Sequence, residues 1–522
     1  MATLSAPVLP MRRPRRGSGR GWPLIAFTVV IALALLAPLV LIALDARSAA
    51  WSEIHRVLTG SRSLMLLRHT VVLCAVVVGC AAAIGTGTAW LTERTALRGR
   101  RVWTVLLVLP VAIPDFVVGY AWHSFWPRID PLLGASIVMT LGTYPLVYLP
   151  VAAALRRVDP AMEEAAHSLG LGRLAAFRRV TLPLIATAVL GGCVLVVLTV
   201  LSEFGAFEIL RYQTYTTAIF TEFQFDSQAA GALAIPLVIL GLVALSAEGL
   251  VQRRPATRIA PRRAAAPVRL GRYTAPATLA LGAVVVLGVG VPVGTVVYWM
   301  LHSQHTTLPA AATLGSATWT TLSYSAAGAA AAVVLAVPVA LLTFRRSSAV
   351  RTVLERSTYV SKALPGVVIA LSLVFFATRY AYGLYQSSIL LVAAYAILNF
   401  PLALVCVKTS VAQVPPVLSD VGRSLGRGTI AVFLRVTLPL LAPGLLAGFC
   451  LVFLTAVTEL TATLVLAPIG VQTLATQFWA FQQSVAYGAA APYALVMVGL
   501  AVLPGALLGL WFDRERHARL SA

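Results

Sequence analysis

Residues 164–183 read EAAHSLGLGRLAAFRRVTLP, and residues 420–439 read DVGRSLGRGTIAVFLRVTLP. At a constant offset of 256, eleven of the twenty positions are identical, among them Gly170 with Gly426, Phe177 with Phe433, and Val180-Thr181-Leu182-Pro183 with Val436-Thr437-Leu438-Pro439. Glu203 matches Glu459 and Thr217 matches Thr473 at the same offset. Self-similarity at half the chain length means two tandem copies of one unit.

What surrounds the repeat is apolar. Of the 522 residues, 59% are hydrophobic and 11% charged, and the mean hydropathy is +0.88. A water-soluble chain of this size has too little interior to bury that fraction, so its solvent is lipid. A spanning helix needs roughly 20 mostly apolar residues. That criterion places spans near 22–44, 70–92, 102–124, 132–155, 184–206 and 230–251, and again near 274–300, 317–343, 357–379, 388–410, 440–462 and 489–511. The expected fold is all-α and integral to a membrane, with about twelve transmembrane helices in two tandem six-helix units. An even number of spans per unit makes this a parallel repeat, its copies facing each other across a central pathway.

The formal charge of +22 would suggest nucleic acid in a soluble protein, but Lys and Arg also collect in cytoplasmic loops of membrane proteins. Here topology explains the charge, and no nucleic-acid partner is expected. Arg94, Arg98, Arg100 and Arg101 follow span two; Arg253, Arg254, Arg258, Arg262, Arg263, Arg269 and Arg272 lie between the halves; Arg514, Arg516 and Arg519 end the chain. Both termini and the linker 252–273 are therefore expected in the cytoplasm, with permease units at 22–251 and 274–512, a basic segment 1–21 and a tail 513–522. The arginines at 12, 13, 15, 16 and 20 resemble a signal n-region, yet the apolar run after them is too long for an h-region, which favours a retained anchor. The five cysteines fall inside apolar stretches, with neither zinc nor disulfide spacing.

The repeated segment is a loop between spans four and five that reads as a short surface helix. Asp159 suits the cap, Pro160 the first helical position, and Glu163 and Glu164 the positive end of the dipole. Gly170 ends it. A second short helix with Phe177 on its apolar side runs to Leu182-Pro183, where the proline is expected to open span five. Pro416 takes the place of Pro160 in copy two. A plain polar connection is the alternative, and its appearance twice argues against that.

The pattern Glu-Ala-Ala, three residues, Gly, nine residues, an aliphatic residue, any residue, then Leu-Pro resembles the signature loop of bacterial ABC importer permeases. Copy one fits throughout, at Glu164, Ala165, Ala166, Gly170, Val180, Leu182 and Pro183. Copy two keeps Gly426, Val436, Leu438 and Pro439 but has Asp420, Val421 and Gly422 in place of Glu-Ala-Ala. The resemblance implies that each loop is a coupling helix seated in one of two ATPase subunits, with Glu164 and Asp420 anchoring it and Ala165 and Ala166 allowing close approach. It also implies a bacterial inner-membrane location and a solute-binding protein outside. ATP and Mg would be bound by the ATPase, because this chain lacks a G-x-x-x-x-G-K-[ST] loop and its only lysines are Lys362 and Lys408; no cofactor of its own is expected.

The fused layout, the stretch from Leu109-Pro110 to Ala121-Trp122, and residues 459–479, ELTATLVLAPIGVQTLATQFW, look like the ferric-iron branch of these permeases, with Thr461 standing where that branch has proline. Thiamine, polyamine and phosphonate permeases share the architecture and remain alternatives. From the residues themselves, Asp115 after Pro114, Glu203 and Glu459 are the acids that a pathway would use, or else hydrogen-bonding groups between helices. His302 and His305 are two imidazoles at most, too few for a metal site, and none is expected. Tyr120, Tyr144 and Tyr148 read as packing aromatics. A twelve-span secondary transporter would share the topology but leaves the paired loop unexplained. An enzyme is disfavoured, since no nucleophile and base or paired carboxylates share a common depth.

Overall fold

The computed structural model describes residues 22–48, 55, 59–252, 267–303, 308–345, 357–358 and 360–501. The segments 1–21 and 513–522, linker residues 253–266 and His305 lie outside the described residues.

In hydrocarbon every backbone polar group must be satisfied within its own segment, which leaves helices as the solution for apolar runs of this length. Among the described residues eight helices are long and apolar enough to cross a membrane: Ser61–Arg94, Pro131–Leu155, Phe177–Ser202, Ser227–Ala247, Gly271–His302, Ala311–Thr343, Ser388–Gln413 and Thr429–Val457. These are spans two, four, five, six, seven, eight, ten and eleven. Spans one, nine and twelve coincide with the shorter apolar helices Ala26–Ile42, Gly366–Tyr380 and Tyr487–Ala501.

Span three is not the single helix expected over 102–124. Arg100–Ala112 and Asp115–Phe125 meet at 92°. Pro114 lacks an N–H, and its ring pushes Ile113 out of the helical region, to φ −95 and ψ 122. The chain turns there and restarts at Asp115. Copy two repeats the device at Pro365, which precedes Gly366–Tyr380 in an extended conformation.

Each copy is organised around its fourth helix. Span four packs between spans two and five, and span ten between spans eight and eleven. Small residues let the backbones approach. A Cβ at Gly85 of span two would lie 2.9 Å from the Tyr144 carbonyl oxygen, and one at Gly192 of span five only 2.7 Å from Val147 Cα.

The copies exchange their first spans. Trp22–Ser48 packs on spans eight and nine of copy two as well as on span six, while span seven packs on spans three and four of copy one. Ile31, Ala32 and Leu35 accordingly share a buried cluster with Val339, Phe400 and Val407, and Leu281 and Val296 share one with Tyr144 and Val147. The linker divides the repeat along the sequence, but in space each half contains a helix of the other.

Candidate functional site

The two loop helices are Pro160–Ser168 and Pro416–Ser424. The first starts as its sequence predicts: Asp159 accepts a hydrogen bond from the Ala161 N–H at 3.0 Å, and Pro160 occupies the first turn. Both end on a glycine in the left-handed region, Gly170 at φ +82 and Gly426 at φ +80. Only glycine takes that conformation without a Cβ penalty, and it lets Leu171 donate to the Ala166 carbonyl at 3.0 Å and Arg427 to that of Gly422 at 3.2 Å.

Beyond the glycines the expected break before spans five and eleven is absent. Arg173–Ala176 and Thr429–Val432 run into π-helical turns, Phe177–Thr181 and Phe433–Thr437, and then directly into the long helices from Leu182 and Leu438. Pro183 and Pro439 cannot donate to the preceding turn, and a widened turn is how a helix continues past that lost bond. Span five thus begins at Phe177 rather than 184 and ends at Ser202. The matched turns join the second short helix of each loop to its span without a break.

The residues that hold the first loop helix on the molecule are not the ones its sequence pattern emphasises. Glu164 and Ala165 are exposed. Glu163 faces inward, where its Oε1 accepts from the hydroxyl of fully buried Thr181 at 2.5 Å. Arg94, whose side chain is 4% exposed, lies 3.9 Å from Glu163 and donates to the Val158 carbonyl at 3.2 Å. Beside it Glu93, with a side chain 1% exposed, pairs with Arg156 at 2.6 Å and with Arg100, tying the ends of spans two, three and four together. Thr181 is common to both copies of the sequence pattern and was the available signal; Arg94 is distant in sequence and gave none.

Ala166 corrects one expectation: it is buried against its own chain, so of the two alanines only Ala165 faces outward. Its counterpart Gly422 then explains the departure in copy two. In copy one Ala166 and Ala176 are both buried, and in copy two Gly422 faces Val432, which stands where copy one has Ala176. A Cβ at Gly422 would lie 2.9 Å from Val432 Cγ2, so the smaller residue on one side compensates the larger on the other. Gly422→Ala alone gains helix propensity of about 1 kcal/mol but loses at least as much to overpacking, about 1–3 kcal/mol. With Val432→Ala the gain should stand alone. Hydrogen exchange of the loop helix in both backgrounds is expected to show opposite signs; equal effects would remove the compensation.

Val180, Leu182, Val436 and Leu438 are half-buried, and Pro183 and Pro439 exposed. On the second loop helix Asp420 is exposed and has an interaction within the chain.

A cavity of about 680 Å³ lies between the two copies. Copy one contributes the end of span five, with Thr199, Ser202 and Glu203; copy two contributes the approach to span nine, with Lys362, span ten, with Asn399 and Lys408, and the break after span eleven, with Glu459. Glu203 and Glu459 occupy matched positions. The Glu203 carboxylate accepts from the Ala206 N–H at 2.8 Å and that of Glu459 from the Ala462 N–H at 3.0 Å, each satisfying the first turn of the short helix that follows, Gly205–Ile209 or Thr461–Leu466. Asp115 does not line this cavity; it starts the second half of span three and faces Gly142 of span four. Glu203 lies within electrostatic range of both Asp115 and Glu459. The lysines were visible in the sequence as the only two, but nothing local placed them in one cavity.

Other candidates fall to packing. Tyr120 donates to the Tyr487 carbonyl and Tyr144 to that of Leu107, each at 2.8 Å, and the Tyr148 hydroxyl is 3.2 Å from that of Thr92. His302 stacks on Tyr298 at 4.2 Å. The five cysteines are unpaired. Thr217 and Thr473, matched by offset, are not structural equivalents. Thr214 and Thr473 start helices, and their N–H groups each donate at 2.9 Å to the hydroxyls of Thr217 and Thr476; the register shifts by three residues there. Among the described residues no group of three or more His, Cys, Asp and Glu is placed to hold a metal ion.

Residues 75–256 and 331–515 each match the family described as binding-protein-dependent transport system inner membrane component. The Fe(3+)-transport system permease protein FbpB 2 of Haemophilus influenzae is 34% identical over 489 residues, covering 92% of this chain and 96% of that protein. The sulfate transport system permease protein CysT of Salmonella typhimurium is 28% identical over 251 residues, 44% of this chain and 91% of its own. The molybdenum transport system permease protein ModB of Escherichia coli is 29% identical over 180 residues, 30% of this chain and 79% of its own. With two matched units, two copies of the loop and an all-helical membrane fold, the chain belongs to the family of inner membrane components of binding-protein-dependent transport systems, as a fused permease of an ABC importer.

Proposed function

We propose that this permease forms the pathway of an ATP-driven importer of ferric iron, with both termini and both loop helices in the cytoplasm and one ATPase subunit seated on each loop helix. The repeated helix–glycine–helix loop carries the coupling reading. Each copy is fused through a π turn to the helix whose far end lines the cavity, so a push on the loop is delivered to Glu203 or Glu459. Exposed apolar side chains support a docking role: Leu169 on the first loop is 84% exposed and its counterpart Leu425 on the second 76%, a poor arrangement for a segment that meets only water. A binding protein delivers the cargo from outside, and ATP and Mg are held by the ATPase. The iron assignment rests on the likeness to the Fe(3+)-transport permease, which spans both units where the sulfate and molybdenum relatives span one.

Uptake of radiolabelled ferric iron, thiamine and putrescine by cells lacking the gene and by complemented cells tests this. Loss of iron uptake alone, restored by complementation and dependent on ATP, is expected. Intact iron uptake with loss of another label would keep the importer and remove the cargo.

A further inference from the structure

We propose that an acyl chain of a membrane phospholipid occupies a second cavity, beside the second loop, and packs that loop against span eight. The inference needs only the membrane fold and is independent of the cargo.

This cavity has a volume of about 580 Å³, within the ~300–1,000 Å³ usual for ligand sites. Span one contributes Phe27, span eight Val337, Pro338 and Leu341, and the second loop Ile430 and Phe433. Only Ser419, Thr429 and Thr437 among its lining residues are polar.

Copy one shows what belongs in this space. The end of span two reads Ala89-Trp90-Leu91-Thr92-Glu93-Arg94, and the end of span eight reads Ala340-Leu341-Leu342-Thr343-Phe344-Arg345. Ala89 and Ala340 are both buried, as are Thr92 and Thr343, so the two ends present the same side to their neighbours. Trp90 therefore corresponds to Leu341, and Phe177 corresponds to Phe433. In copy one the indole of Trp90 packs edge-on against Phe177, with ring centroids 6.3 Å apart. In copy two both counterparts line the cavity instead. Ser419 and Thr437, which also line it, stand where copy one has the hydrogen-bonded pair Glu163 and Thr181. Leucine for tryptophan and serine for glutamate each remove volume from the same place, and the second loop is left without the packing that the first one has.

Protein interiors are close-packed, and a gap of this size forfeits the dispersion contacts of every side chain around it. Water does not fill a space walled by carbon. Hydrocarbon is at hand. Phe27 and Val334, both on the cavity wall, are 49% and 66% exposed, and they lie in the apolar helices Ala26–Ile42 and Ala311–Thr343, so what they face is the bilayer. An acyl chain entering from there has no polar group to satisfy and replaces the missing indole with methylene groups.

The complete transporter, with its ATPase and binding protein, is reconstituted with phosphatidylethanolamine carrying a photoreactive diazirine on one acyl chain. It is then extracted in detergent, washed and irradiated, and the labelled residues are found by mass spectrometry. Label should survive the wash on Val337, Ile430 or Phe433 and be absent from Phe177. Leu341→Trp should reduce that label at least fivefold. Trp90→Leu should add label at Phe177 while leaving that at Phe433, a local gain that decides the matter even where the first variant fails to assemble. Equal label on the two copies, label lost in the wash, or undiminished label in an assembled Leu341→Trp transporter overturns the inference. So does label that reaches the cavity wall only after residues 1–21 are deleted, which would make the occupant the chain's own N-terminal segment.

Discussion

Glu164→Lys is expected to reduce transport on the order of a hundredfold, while Asp420→Lys costs only severalfold. The first carboxylate is exposed and, among the described residues, makes no hydrogen bond or ion pair of its own, so it is free to meet the ATPase. Asp420 is already engaged within the chain. Removing one partner of a charged contact that an interface buries costs about 2–5 kcal/mol, and each 1.4 kcal/mol is about tenfold in affinity. Reversing the charge adds repulsion to that loss. Copurification of the ATPase with each variant, alongside transport, reads the effect at its source. Equal loss in the two variants would mean that the loops couple alike despite their different sequences, and the asymmetry would be withdrawn.

The second large effect is expected from a residue that the family pattern does not include. Glu163→Ala should loosen the first loop helix from span five, destabilising the assembly by about 1–3 kcal/mol, the cost of leaving a buried donor without its acceptor. Thr181, which is fully buried, would lose its acceptor, and Arg94 the carboxylate beside it. Glu163→Gln keeps an oxygen for Thr181 but not the charge for Arg94, so it should fall between wild type and alanine. Thermal unfolding of the purified complex ranks the three. In transport, the alanine variant should hydrolyse ATP with fewer solutes moved per ATP, since the loop would move without carrying its span. Wild-type stability and coupling in Glu163→Ala would show that the π turn alone transmits the motion.

Much of the fold was legible because its signals are local. Apolar runs of spanning length marked the eight long helices, the bent pair and the three shorter apolar helices among the described residues, and a constant offset exposed the duplication. The errors have local causes too. Hydropathy cannot distinguish a straight span from one that Pro114 turns by 92°, because the composition on both sides is equally apolar. Pro183 looked like a helix start because proline usually marks one, whereas the π turn before it lets the helix continue. Thr217 and Thr473 agreed by offset alone, and the capping hydrogen bonds set a different register.

By itself the sequence determined the membrane, the two loop helices with their terminating glycines, and the family, since each depends on residues within one turn or one span of each other, and the parallel repeat, since two such local patterns recur at one offset. The tertiary structure decided that Ala166 faces inward and Ala165 outward, that Gly422 and Val432 share one volume, that each half contains the first span of the other, and that Lys362 and Lys408 face the cavity with Glu203 and Glu459. Those outcomes depend on which side of a helix meets a neighbour far along the chain. In spans apolar on every side no amphipathic stripe records that choice, and close packing between helices makes it.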